Sequence, residues 1–93
     1  MIYTIIDVRI QEGNALVPLF LVASYTYHHR SRSIMSDDSF DCLVSRLRNE
    51  WNHITHGHKY LVKEENLQTD SVYNVDFPPD IVQEAEELMK ELP

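Results

Sequence analysis

Residues 36–54 read SDDSFDCLVSRLRNEWNHI, and this stretch carries the clearest periodic pattern in the chain. Its apolar side chains recur at intervals of three and four, which is the spacing of one face of an α-helix. These positions are Phe40, Leu43, Val44, Leu47, Trp51 and Ile54. Ser36 is a typical N-cap, and the acidic residues after it suit the positive end of the helix dipole. The stretch therefore predicts an amphipathic helix that ends before Gly57.

Two further helices are predicted on either side of this one. Upstream, apolar residues at helical spacing predict a helix that Asn14 caps and that continues to about Arg30. A short polar turn then joins the two helices, so residues 14–56 are expected to form a helical hairpin. Downstream, Pro78 and Pro79 introduce an amphipathic C-terminal helix over residues 78–92.

The rest of the chain predicts some β-structure within a mainly α fold. Residues 1–12 are rich in β-branched side chains, and their even positions are the more apolar, which predicts an N-terminal β-strand. Residues 57–77 are less regular and are expected to be irregular or to hold one or two further short strands. The whole chain of 93 residues is interpreted as a single domain.

Composition narrows the classes of partner. Eight Lys and Arg residues against fifteen Asp and Glu residues give a net charge of −7, which argues against nucleic-acid binding. The single cysteine, Cys42, fits a reducing compartment. The longest apolar run, residues 15–23, is far shorter than the roughly 20 residues that cross a bilayer. These features predict a cytoplasmic protein without membrane contact, and its thin core favours a homo-oligomer.

The residues around the turn of the hairpin carry the most chemical information. Aromatic and basic side chains end the first helix, and two carboxylates one turn apart begin the next; they are Tyr25, Tyr27, His28, Arg30, Asp37 and Asp41. Aromatic rings attract a cationic ring, carboxylates accept hydrogen bonds from ribose, and His28 or Arg30 can contact phosphate. Together they predict a site for a nucleotide with a positively charged base, although packing or the helix dipole explains most of them singly.

The spacing within residues 25–51 resembles the N-terminal Ia domain of NAD-dependent DNA ligases, and the chain is similar to small phage ligase-related proteins. The matching positions are Tyr27, His28, Asp37, Phe40 and Asp41. In that family the hairpin closes over the nicotinamide mononucleotide half of NAD. The resemblance implies that Tyr27 stacks, that His28 contacts phosphate, and that the two aspartates hold the ribose or the ring. Phe40 stands where the family has tyrosine, which retains stacking but loses the hydroxyl.

Features of catalysis or metal binding are missing. None of the lysines Lys59, Lys63 and Lys90 begins the Lys-x-Asp-Gly motif that carries adenylyl transfer in the ligases. We therefore expect no enzymatic activity, no catalytic residue and no required cofactor. The five histidines lack the His-Glu-x-x-His or paired-cysteine spacing of zinc sites, so no metal site is predicted; they are His28, His29, His53, His56 and His58.

Three functions remain open. The first is non-catalytic binding of an NAD-related nucleotide. In a phage setting, such a protein would be a sponge that sequesters an NAD-derived immune signal of the cyclic ADP-ribose type. The second is an accessory subunit of a split NAD-dependent ligase or of another NAD-using enzyme. The third is a protein–protein inhibitor with no nucleotide site.

Overall fold

The computed structural model describes residues 4–57, 59 and 77–91. Four helices follow one another in this part of the chain: α1 (Ile5–Arg9), α2 (Leu16–Arg30), α3 (Asp37–Glu50) and α4 (Pro79–Met89). Two short 3₁₀ turns, Gly13–Ala15 and Trp51–His53, precede α2 and follow α3. The mainly α prediction is confirmed, and the described residues contain no β-strand. The short strands considered within residues 60–75 lie outside the described residues.

The strand predicted for residues 1–12 is wrong, because residues 5–9 form helix α1. Thr4 and Asp7 build a capping box: the Asp7 N–H donates to Thr4 Oγ1 (3.3 Å), and the Thr4 N–H donates to the Asp7 carboxylate (2.9 Å). Burial follows the helical period as well. Val8 is fully buried, whereas Ile6 and Ile10, one turn apart, are 69% and 72% exposed. The local cap and this packing outweigh the β-propensity of the isoleucines.

The arginine Arg46 holds α1 against α3. Its Nη1 donates to the backbone carbonyls of Val8 (2.9 Å), Arg9 (3.3 Å) and Gln11 (2.8 Å), and its Nε donates to Glu50 (2.8 Å). The last carbonyls of a helix have no partner within the helix. Arg46 satisfies them from a neighbouring element, so a helix of only five residues is kept in place.

The predicted cap at Asn14 is also wrong. Asn14 lies in the 3₁₀ turn before α2, and the N-cap position belongs to Ala15, which makes no side-chain cap. The Asn14 amide instead donates to Thr55 Oγ1 (3.1 Å) and accepts from the Thr55 N–H (2.9 Å). This pair joins the beginning of α2 to the segment after α3, which supports the hairpin arrangement of the two helices.

The other ends of α2 and α3 are joined by residues 31–36. Ser31 has a left-handed backbone (φ 55°), and the Arg32 N–H then reaches the Thr26 carbonyl (2.9 Å). Ile34 and Met35 are buried, so the turn is anchored in the core. Ser36 caps α3 as predicted, because its Oγ accepts from the Ser39 N–H (3.1 Å).

Helix α2 is the centre of the core. Nearly all of its first nine residues are buried, and the predicted apolar face of α3 packs in the same cluster. Helix α4 packs on α2 through the buried residues Ile81 and Ala85. Full burial of a side chain of the size of Ile81 contributes about 1.5–3 kcal/mol. The packing of α4 on α2 places its acidic and basic residues beside the end of α2, where the candidate site lies.

Candidate functional site

Tyr27 is the large aromatic residue that α2 leaves in solvent. Its side chain is 60% exposed, whereas nearly all of the first nine residues of α2 are buried. Arg30 follows three residues later, and positions i and i+3 of a helix are neighbours on the same side. The end of α2 therefore presents an aromatic ring and a guanidinium group together.

Unlike Tyr27, Tyr25 contacts α4 and the residues just before it. Its ring stacks on His29 (centroids 5.3 Å apart) and meets Phe77 edge to face (5.4 Å). The Tyr25 hydroxyl donates to the carboxylate of Glu86 (3.3 Å). Tyr25 is half-buried in these contacts, so it supports the site rather than offering a free ring face.

Arg30 and Glu86 form an ion pair across α2 and α4. Both side chains are partly exposed, at 47% and 37%. The hydrogen bond from Arg30 lowers the pKa of the Glu86 carboxyl, with a smaller contribution from Tyr25 and the charge of Lys90. The hydrogen bond to Glu86 in turn raises the pKa of Arg30. Glu86 is therefore an anion at neutral pH, held by donors from another helix.

A cleft of about 300 Å³ opens at this ion pair. It is lined by Arg30, Arg32, Glu86, Met89 and Lys90. Its volume lies at the lower end of the range for small-molecule sites. Three cationic side chains thus surround one cleft in a chain whose net charge is −7.

Sequence reasoning missed Arg32 and Lys90 as site residues. Only the packing of α4 on α2 brings Lys90 beside residues that lie some 60 positions earlier in the chain. The local signal that was available is the repeated arginine of the turn, Arg30-Ser31-Arg32.

The remaining predicted residues lie on α3 or at its start. Asp37 and Asp41 are both exposed and one turn apart, so they share one side of the helix. Phe40 is partly buried, and its ring stacks on Phe20 (centroids 5.6 Å apart), which places it at the edge of the core. The side chain of His28 lies outside the described residues, although its backbone belongs to α2.

Two further features bear on partners. The described residues hold no group of three His, Cys, Asp or Glu side chains that could bind a metal ion. Within those same residues, no helix combines the length and apolar character that a bilayer crossing requires.

Comparison with protein-family models, curated proteins and solved structures finds no match for the chain.

Proposed function

We propose that this protein binds an NAD-related nucleotide without transforming it. The observation that carries the proposal is the exposed ring of Tyr27, three residues before Arg30 at the end of α2. An aromatic ring gains from stacking on a heterocycle, and a cationic nicotinamide adds cation–π attraction. A neighbouring guanidinium suits the phosphate that every such nucleotide carries.

The proposal gives roles to four of the predicted residues at the turn of the hairpin. Tyr27 stacks on the base, and Arg30 contacts phosphate. Asp37 and Asp41, exposed on one side of α3, accept hydrogen bonds from ribose hydroxyls. Phe40 packs on Phe20, so stacking is assigned to Tyr27 alone. Tyr25 positions Glu86 and acts on the ligand only through the Arg30 pair.

The proposed role is sequestration in a cytoplasm. A binding hairpin without the Lys-x-Asp-Gly motif would hold its ligand unchanged. A phage-encoded protein of this kind would remove an NAD-derived signal of the cyclic ADP-ribose type before the host responds. Such a signal has lost nicotinamide but keeps the ribose and phosphate groups that Asp37, Asp41 and Arg30 would bind.

Isothermal titration calorimetry against NAD⁺, nicotinamide mononucleotide, ADP-ribose and cyclic ADP-ribose tests the proposal. We expect one ligand to bind and to be recovered intact by chromatography. Tyr27→Ala should weaken binding about fivefold or more, because base–aromatic stacking contributes about 1–3 kcal/mol. Asp41→Ala should weaken it too, whereas Glu84→Ala removes the same charge from an exposed position of α4 that does not line the cleft and serves as the matched control. Absence of heat with all four ligands would contradict the proposal.

A second candidate function, action through protein contact, is favoured by the exposed pair Ile6 and Ile10. Ile10 follows the last residue of α1 and lies one turn after Ile6, and a two-fold axis would place Ile6 of one copy against Ile10 of the next. We propose this face as the contact of a homo-oligomer.

Light scattering should give a mass above that of one chain, and the double variant Ile6→Lys, Ile10→Lys should be a monomer. A monomeric wild type would contradict this contact; co-purification of an enzyme, abolished by the same variant, would favour the accessory-subunit or inhibitor functions.

A further inference from the structure

We propose that the cleft between α2 and α4 is a phosphate-binding subsite, in which Glu86 competes with the ligand for Arg30. The subsite extends the nucleotide site to the C-terminal helix, through Arg32 and Lys90. The proposal rests on the proposed function only for the identity of the complete ligand. The chemical class that the cleft itself would take is a phosphate or diphosphate group.

The charge of the lining is the first argument. Arg30, Arg32 and Lys90 face the cleft together with one carboxylate, Glu86. Lys90 follows Glu86 by one helical turn, so both lie on the same side of α4. The lining is thus positive in a protein that is acidic as a whole. An excess of cations around a concave surface raises the local concentration of anions.

The geometry of the donors is the second argument. A guanidinium group presents its N–H donors in a planar fork that matches the oxygens of carboxylate and phosphate alike. Arg30 already binds such a group, the carboxylate of Glu86, at the cleft. A phosphate oxygen can take the place of that carboxylate, while Arg32 and Lys90 contribute further charge.

The third argument is that the ion pair between Arg30 and Glu86 contributes little to the free energy of folding. Exposed ion pairs contribute little to folding stability, and this pair is open to solvent on both sides. The Tyr25 hydroxyl nevertheless holds Glu86 in place from α2. A carboxylate that is positioned but contributes little to stability is suited to occupy Arg30 until a stronger anion displaces it.

Titration calorimetry with inorganic pyrophosphate tests the subsite in the full chain. We expect Arg32→Gln and Lys90→Gln each to weaken pyrophosphate binding by about fivefold, the upper end of the effect of one exposed ion pair. Arg48→Gln removes the same charge from an exposed position of α3. It should change the affinity for pyrophosphate by less than about twofold. Equal losses in all three variants would overturn the proposal, because they would reflect net charge alone.

The role of Glu86 predicts a change of opposite sign. Glu86→Gln should strengthen pyrophosphate binding, and by more than Glu87→Gln, which removes the same charge from an exposed neighbouring position on α4. Equal gains in the two variants, or weaker binding in Glu86→Gln, would overturn the competition.

The two proposals fail separately. Pyrophosphate binding that depends on Arg32 and Lys90, with no binding of any of the four nucleotides, would support the subsite and contradict the nucleotide function. Nucleotide binding that depends on Tyr27 and Asp41 but not on Arg32 or Lys90 would support the function and overturn the subsite. Absence of pyrophosphate binding to the wild type would also overturn the subsite.

Discussion

Arg46 and Arg30 each contact a residue of a neighbouring helix, but their surroundings differ. Arg46 lies on α3 and contacts α1, whereas Arg30 lies on α2 and contacts α4. Arg46 is 23% exposed and donates to three backbone carbonyls and one carboxylate, so its guanidinium is surrounded by protein acceptors. Arg30 is about twice as exposed, pairs with the carboxylate of Glu86 and lines an open cleft with two other cations. Both residues are arginines of a predicted helix, and the contacts that they make in the fold distinguish them.

The difference separates an arginine that stabilises the fold from one that is available for the binding that we propose. A guanidinium whose donors bind partly buried backbone carbonyls stabilises the fold, because its removal takes a charged donor from those carbonyls. A guanidinium in an exposed ion pair contributes little to the free energy of folding, because water competes for both partners. Such a guanidinium can exchange its carboxylate for an anionic ligand.

The largest loss is expected for Arg46→Ala. The carbonyls at the end of α1 would lose a charged donor, which costs about 2–3 kcal/mol. Urea denaturation measures the change, and Arg48→Ala, in an exposed position of the same helix, should stay within about 0.5 kcal/mol of wild type. A loss below about 1 kcal/mol for Arg46→Ala would show that α1 does not depend on this residue.

Thr4→Ala should have an intermediate effect. It removes the capping box of α1, and loss of an N-cap costs about 1 kcal/mol. In an Arg46→Ala background the same substitution should cost less, because α1 would already be detached from α3. Fully additive losses in this double-mutant cycle would contradict the dependence of α1 on both ends.

Arg30→Gln should shift the urea midpoint less than Thr4→Ala does, while it weakens the binding of pyrophosphate. The ion pair with Glu86 is exposed, so its loss removes little stability. Because the same substitution removes a cation from the cleft, stability and binding should separate. A midpoint as low as that of Arg46→Ala would assign Arg30 to the fold instead.

The smallest effect concerns acid pH. The pKa of Glu86 is lowered in the folded protein, so its stabilising contribution is present above the ordinary glutamate pKa and is lost as pH falls through the folded value. Wild type and Glu86→Gln should therefore differ slightly in urea midpoint at neutral pH and converge as Glu86 becomes protonated. A difference that grows with falling pH would contradict the ion pair.

Parts of the fold could be predicted because their signals are local. The periodicity of Leu43, Val44 and Leu47 and the cap at Ser36 predict α3, and the structure buries those residues and forms that cap. The β-branched residues of the segment 1–12 favour a β-strand, so the sequence does not predict helix α1. The spacing of Thr4 and Asp7, a capping box in the structure, was the available local signal.

Contacts between distant residues account for what the sequence could not predict. Arg46 meets carbonyls 35 to 38 positions earlier in the chain, and Arg30 meets Glu86 56 positions later. Because the partners are so far apart in the chain, the spacing of nearby residues does not predict either contact. Tyr27, Asp37 and Asp41 were selected from the sequence and are exposed, but the cleft that would complete their site depends on how α4 packs on α2.

An NAD-related nucleotide is proposed to bind at the end of α2 and in the adjoining cleft. A ¹H–¹⁵N NMR titration of the wild-type chain with NAD⁺ and, separately, cyclic ADP-ribose tests it most directly. We predict saturable shifts for one of them at the amides of Tyr27, Arg30, Arg32 and Lys90, with little change at Arg46. Shifts absent up to millimolar ligand, or confined to α1 and its contact with α3, would contradict the claim.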